Sequence, residues 1–311
     1  RMGGRHLKPF LSVYGHVTVD QIISIDRYLP PGITADALSK KTTLGGTGPN
    51  IAVAAARLGC PTALCAYVGP DFPGKYLEFI EESGVIMDDF VVLDGEETST
   101  CVIVNDRDLN TRVFFYQGPQ GHADSLDVRL TSMAGSSDFV HFCTGQASHY
   151  ISLMEEFRGG PRMALDPAQE VHRVWNADLI QRALPMADAL FCNELEAETL
   201  CRYLGLNDVL DADVGMVVNT VGAEGSRARF GDERVDIPVI PGGEPVDVTG
   251  AGDTYRAGFY AARYRGYDIP ESLVVASAVS SFVVEKVGAL TNIPTWEQAL
   301  ERAEPFFADI G

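Results

Sequence analysis

Lysine is scarce in this 311-residue chain. Lys8, Lys40, Lys41, Lys75 and Lys286 are all it has, and basic residues number 24 against 43 acidic ones, a net charge of −19. There is no basic stripe, which argues against a nucleic-acid partner. The acidity is spread along the chain and not gathered in a tail, so it reads as solvated surface. A dispersed acidic, lysine-poor surface suits a salt-rich cytosol, where screening reduces self-repulsion, and points to a halophilic source. No apolar run reaches the ~18–20 residues of a membrane-spanning helix. Arg1–Lys8 hold no apolar signal region and are left out of the fold reading, so the expectation is a soluble, cytoplasmic protein with no membrane partner. Cys60, Cys65, Cys101, Cys143, Cys192 and Cys201 form no CxxC pair and no zinc-spaced cluster, and read as reduced thiols. No GxxxxGK[ST] occurs, which excludes P-loop chemistry.

What is present is a regular alternation. Phe10–Gly15 is a short apolar run ending in glycine, read as a buried strand. Gly45-Gly46-Thr47-Gly48-Pro49-Asn50 precedes an alanine-rich helix over Ile51–Leu58 that stops at Gly59. Strand-like segments at Thr62–Val68, Phe139–Cys143, Arg162–Leu165, Ala189–Cys192 and Val214–Asn219 are interleaved with helix-like ones at Gly74–Ser83, Leu179–Leu184 and Glu194–Leu204. Ser226–Phe230 and Arg234–Ile237 read as a hairpin. Such alternation predicts parallel strands with crossover helices in one Rossmann-like α/β domain over about residues 10–300. Two regions do not fit it, residues 17–44 and 98–117. They read as extended segments forming a small separate β-sheet, a lid over the C-terminal strand edge where open α/β sheets bind ligands.

The segment Asp247-Val248-Thr249-Gly250-Ala251-Gly252-Asp253 is the most informative. Gly250, Ala251 and Gly252 have almost no side-chain bulk and lead into a helix reaching about Arg263. Bare main-chain N–H groups at a helix start attract an anion. A carboxylate there makes sense if Asp253 takes a proton from a hydroxyl attacking a phosphate. Taken alone, the same residues also suit an ordinary glycine turn capped by Asp253.

Four motifs in order resemble the ribokinase-like, or PfkB, carbohydrate kinase family, over roughly residues 10–300: Gly45-Gly46 with Asn50, Asn193-Glu194-Leu195-Glu196, Thr220 to Gly225 as TxGxxG, and Asp247–Asp253 as DxTGAGD. The resemblance implies an ATP-dependent kinase with Asp253 as base and the amides of Gly250, Ala251 and Gly252 as an anion hole. It implies that Asn193 and Glu196 organise Mg²⁺, largely through water. Asn193, Thr220, Gly222 and Gly225 would lie along ATP. Asp20, Gly46 and Asn50 would bind acceptor hydroxyls. Asp247 and Thr249, beside the anion hole, either contribute to a K⁺ site or only brace the loop.

Details such as Gly15-His16, Asp166-Pro167-Ala168-Gln169-Glu170 and Asp253-Thr254-Tyr255-Arg256-Ala257-Gly258-Phe259 look most like the family's archaeal nucleoside kinase branch. That implies a primary hydroxyl as acceptor, most readily a nucleoside 5′-OH. Phe115, Tyr116, Gln117 and Gln169 could face the base, or the aromatics could be lid or dimer core. Residues Gly118–His122 and Gln146–His149 depart from that branch. A sugar or sugar-acid kinase is the rival reading, and a non-catalytic ligand-binding protein on the same fold a more distant one. Since free strand edges are a liability, the lid is expected to pair with a second lid in a homodimer.

Overall fold

The computed structural model describes residues 8–108 and 110–309. In chain order the strands are β1 (Leu11–Tyr14), β2 (Thr18–Ile25), β3 (Ala37–Gly45), β4 (Thr62–Val68), β5 (Phe90–Val92), β6 (Thr100–Asn105), β7 (Thr111–Tyr116), β8 (Phe139–Phe142), β9 (Arg162–Leu165), β10 (Ala189–Asn193), β11 (Met216–Thr220), β12 (Ser226–Phe230) and β13 (Glu233–Ile237). The helices are α1 (Thr47–Arg57), α2 (Gly74–Glu82), α3 (Ala147–Glu156), α4 (Ala177–Ala183), α5 (Glu194–Leu204), α6 (Ala251–Tyr264), α7 (Ile269–Val283) and α8 (Trp296–Ala303).

Nine strands make one sheet in the order β13-β12-β11-β10-β9-β8-β1-β4-β5. It is parallel from β5 to β11, and the β12–β13 hairpin closes one edge antiparallel. Every residue of β1 and β4 is buried, as the near-continuous apolar runs of a sheet covered on both faces require. The pleat divides β1 between two cores. Leu11 and Val13 belong to the core that holds Ile51, Ala54, Phe259 and Val275 on the α1, α6 and α7 side, and Tyr14 to the one that holds Phe142, Leu153, Ile180 and Leu200 on the other. α7 is buried nearly all round with small residues, and it crosses α6 closely: a Cβ on Gly258 would lie 2.9 Å from the Ala276 Cα.

The second sheet, β3-β2-β6-β7, has β2 and β6 parallel and the outer pairs antiparallel. Its strands fall in the two regions that break the alternation, residues 17–44 and 98–117, with β3 running one residue beyond the first. β2 begins at Thr18, because Thr18, Asp20 and Gln21 pair with β3 although they are polar. Two long helices lacked a clear signal: α3, where Ser148 and His149 interrupt the apolar pattern, and α7, whose apolar residues occupy no single stripe.

Candidate active site

Three chain segments converge at the C-terminal ends of the central strands around a cleft of about 770 Å³. The first is the start of α6. Gly250 caps it at φ 76°, and a Cβ there would sit 2.2 Å from the Ala289 Cβ, so only glycine fits. The Gly250 carbonyl accepts from the Thr254 N–H and hydroxyl, and the Ser280 hydroxyl from α7 donates to the Ala251 carbonyl at 3.0 Å. Of the three amides expected to be free, that of Ala251 is not: it donates to the Val248 carbonyl at 3.1 Å, closing the turn that enters the helix. The N–H groups of Gly250, Gly252 and Asp253 meet no acceptor among the described residues. The amides left open at this turn are therefore those of residues 250, 252 and 253.

Asp253 is partly buried in the cleft wall, and its Oδ2 accepts from Asn50 Nδ2 at 2.8 Å. Burial pushes its pKa up to about 7. Asp166 adds to the rise, while the Asn50 bond and Arg256 oppose it. A base that titrates near neutrality suits proton abstraction from an alcohol.

Asn50 comes from the second segment, the first turn of α1. Gly46 precedes it at φ 97°, and a Cβ there would strike the His16 carbonyl at 2.1 Å. Asn50 is buried, and its Oδ1 has no partner among the described residues although the residue lines the cleft. A buried carbonyl oxygen without a donor is costly, so it marks where a ligand hydroxyl is wanted.

The third segment runs across the ends of β10 and β11. Asn193 and Glu196 form a reciprocal capping box on α5. Glu196 N–H donates to Asn193 Oδ1 at 2.9 Å, and Glu196 accepts from Asn193 N at 2.8 Å and Nδ2 at 2.9 Å. Burial, and then Asp166, raise the pKa of Glu196. Thr220, Gly222 and Gly225 follow along the rim. Gly225, at φ 95°, lies so close to the Ile237 carbonyl that a Cβ would be 2.1 Å from it.

The remaining expected residues are more scattered. Gln169 lines the cleft and is exposed; the preceding Ala168 holds φ 49°, the only positive φ outside glycine among the described residues. That strained residue at a site had no signal in the sequence. Asp20 is on β2 and does not line the cleft. Its carboxylate accepts from Thr18 Oγ1 at 2.6 Å and packs on Gly45, and burial raises its pKa. Asp247 Oδ1 accepts from both the N–H and hydroxyl of Thr249, and Oδ2 accepts from the Gly288 N–H at 2.8 Å. These two residues thus brace the anion-hole loop against residues 287–289.

At the root of the lid, Phe115 stands edge-on to His16, with ring centroids 5.1 Å apart, and beneath the Arg173 guanidinium at 5.2 Å. The Gln117 amide donates to His16 Nε2 and accepts from Arg173, each at 2.8 Å. Phe115 therefore faces His16 and Arg173, whereas Tyr116 is half exposed.

Sequence reasoning quoted Asp166 and Arg256 within longer motifs but gave them no role, and missed that they form the floor of the site. Asp166, at the end of β9, is buried and takes Arg256 Nε at 2.8 Å and His141 Nε2 at 3.1 Å; His141 Nδ1 meets the Tyr260 hydroxyl at 2.9 Å. His141, Cys143 and Asp166 lie close enough together to suggest a metal cluster. Both His141 nitrogens and the Asp166 carboxylate are already engaged, and burial raises the Cys143 thiol far above its ordinary range, so the cluster is a buried ion-pair network.

Residues 8–296 match the family described as pfkB family carbohydrate kinase. The chain is 35% identical over 297 residues to a nucleoside kinase of Methanothermobacter thermautotrophicus, covering 94% of each. It is 29% identical to a ribokinase of Bacillus subtilis, covering 94% of this chain and 98% of that one. Among solved structures it resembles the Methanocaldococcus jannaschii nucleoside kinase, an archaeal member of the ribokinase family, with a TM-score of 0.87 and 29% identity over 96% of this chain and 99% of that one.

Proposed function

The chain belongs to the pfkB family of carbohydrate kinases, ATP-dependent enzymes that phosphorylate sugars or nucleosides, and from that premise we propose that its acceptor is the 5′-OH of a nucleoside. The observation that carries this reading is the Asn50–Asp253 hydrogen bond at 2.8 Å. It joins the helix expected to hold acceptor hydroxyls to the carboxylate expected to deprotonate one. Asp253 takes the proton of the hydroxyl as its oxygen attacks the γ-phosphorus. The bond from that phosphorus to the β–γ bridging oxygen breaks, and ADP leaves. Charge spreading onto the γ-phosphoryl oxygens is met by the open amides of Gly250, Gly252 and Asp253 at the positive end of α6. Asn50 orients both reactants, its Nδ2 on the base and its Oδ1 toward the acceptor. Gly46 and Gln169 complete the acceptor side of the cleft, with Asp20 held behind them on Gly45. Thr220, Gly222, Gly225 and Asn193 flank the nucleotide.

Arg256 is the sole lysine or arginine among the cleft-lining residues, and it is already paired with Asp166. That favours an uncharged acceptor over a phosphosugar, whose anion would need a cation of its own. The similarity to archaeal nucleoside kinases favours a nucleoside over a free sugar.

Mg²⁺ supplies charge neutralisation on the phosphates when bound. Glu196 and Asn193 suit it: both donor atoms are hard oxygens, and Glu196 is one of several carboxylates crowding a cleft with a single cation. Because the capping box uses Asn193 Oδ1 and one bond to each Glu196 oxygen, the ion would be held through water. The side chains of Asp247 and Thr249 serve each other and Gly288, so they are poorly placed to coordinate K⁺; such an ion would rely on main-chain carbonyls. Lid pairing in a homodimer is supported by Phe114 and Tyr116, on one face of β7 and 60% and 50% exposed.

A panel of nucleosides, free sugars, sugar acids and phosphosugars, with ATP and Mg²⁺ at high KCl, tests the reading through ADP release. Turnover confined to nucleosides supports it. Preference for a sugar replaces it with the rival, and no turnover on any acceptor returns the non-catalytic alternative.

A further inference from the structure

The lining of the cleft includes four carboxylates, Asp166, Glu194, Glu196 and Asp253, and one cation, Arg256. Arg256 follows Asp253 by three residues on α6, so the two leave neighbouring points of one helix face. It is 5% exposed, and all three nitrogens of its guanidinium are engaged within the protein. Nε and Nη2 reach Asp166 at 2.8 and 3.4 Å, Nη1 donates to the Gly252 carbonyl at 3.2 Å, and the Phe191 ring lies 5.6 Å away. Asp166 is fixed from behind by His141, and His141 by Tyr260. A continuous chain Tyr260–His141–Asp166–Arg256 thus runs from the core to the underside of the first turn of α6. Buried ion pairs are weak sources of stability compared with apolar packing, so this one invites a second use.

We propose that Arg256 is a positioning residue for phosphoryl transfer: clamped by Asp166 and His141, it fixes the first turn of α6 through Gly252 and keeps a permanent positive charge behind Asp253, so that the base is ionised when the acceptor arrives. This rests on Asp253 being the base. Other titratable groups face the pair from every neighbouring element. They are Asp166 at the end of β9, His141 and Cys143 from β8 and the residue after it, Cys192 and Glu196 from β10 and α5, and Tyr255 and Tyr260 from α6. Burial raises the thiols and phenols, which stay neutral, and His141 spends both nitrogens on hydrogen bonds. Asp166 and Glu196 then oppose ionisation of Asp253, and Arg256 and the Asn50 donor favour it. The proton affinity of Asp253, about 7 as it stands, would rise further without the guanidinium.

The test is the carboxyl titration of Asp253 in the full chain, followed by ¹³C NMR as the aspartate resonance lost in Asp253→Asn, together with kcat/KM against pH. In Arg256→Met the midpoint rises by about 1–3 units, as loss of a close opposite charge requires. Activity falls about fivefold or more at neutral pH and recovers in alkali. Arg256→Lys retains the charge and keeps the midpoint near its original place. Asp166→Asn removes an opposing charge and moves the midpoint down, which decides the matter if Arg256→Met does not fold. An unmoved midpoint in Arg256→Met, a uniform loss of activity at every pH, or a midpoint that rises or stays in Asp166→Asn would each overturn the proposal. Failure of the unmodified enzyme to turn over any acceptor would defeat the functional reading instead. The titration does not depend on turnover and separates the two.

Discussion

Asn50→Ala removes the one hydrogen bond that, among the described residues, the Asp253 carboxylate accepts from a side chain. A hydrogen bond to a charged group contributes about 1.5–3 kcal/mol, and one pKa unit corresponds to 1.36 kcal/mol. The donor favours the ionised form, so its loss moves the midpoint of Asp253 upward, by about one to two units on those figures. From a starting value of about 7, half the enzyme has an ionised base at neutral pH. After the substitution the fraction falls to about a tenth or less, and kcat/KM at neutral pH drops by about five- to fifty-fold through this effect alone. The loss of Asn50 Oδ1, which has no partner among the described residues, adds a rise in acceptor KM that does not vary with pH. ADP release coupled to NADH oxidation, over about pH 5.5–9.5, separates the two parts. The acidic limb shifts to higher pH and the alkaline plateau partly recovers. A limb that stays in place while the rate falls equally at every pH would refute the reasoning.

Gly250→Ala forces a positive φ on alanine and drives its Cβ into Ala289, so the anion hole opens and kcat falls by about a hundredfold; steady-state kinetics alongside a thermal melt distinguish this from unfolding. Phe114→Lys places a charge on the exposed face of β7, and on the proposed lid pairing light scattering in high salt gives a dimer for the unmodified protein and a monomer for the variant. Asp253→Asn stabilises the fold above neutrality. A carboxyl whose pKa rises from 3.8 to about 7 on folding disfavours the folded state once ionised, and this cost disappears as pH falls through 7 toward 3.8. The variant therefore melts a few degrees above the unmodified protein at about pH 8, and the difference shrinks at about pH 5.

The chemistry was legible where it depended on short contiguous segments. Residues 247–253 announced a bare helix start with a carboxylate, and the structure places them at the start of α6 in the cleft. The parallel sheet was legible because a strand buried on both faces must be apolar throughout, as Thr62–Val68 is. Long-range groupings left no trace. Residues 141, 166, 256 and 260 form one network, but they come from three separate elements and each has an ordinary local context. The Ala251 amide was read as free because its acceptor, the Val248 carbonyl, is set by the turn geometry and not by residue type. Phe115 was a candidate for nucleobase contact, and the fold sets it edge-on to His16 and beneath Arg173 at the lid root.

Removal of the carboxylate of Asp253 is the most direct test of its assignment as base. With Asp253→Asn, single-turnover phosphoryl transfer is measured by rapid quench and ATP affinity by calorimetry. The expected result is a fall of about 10³-fold in the transfer rate, within the range for loss of a general base, with ATP affinity nearly unchanged. A transfer rate close to that of the unmodified enzyme would contradict the assignment.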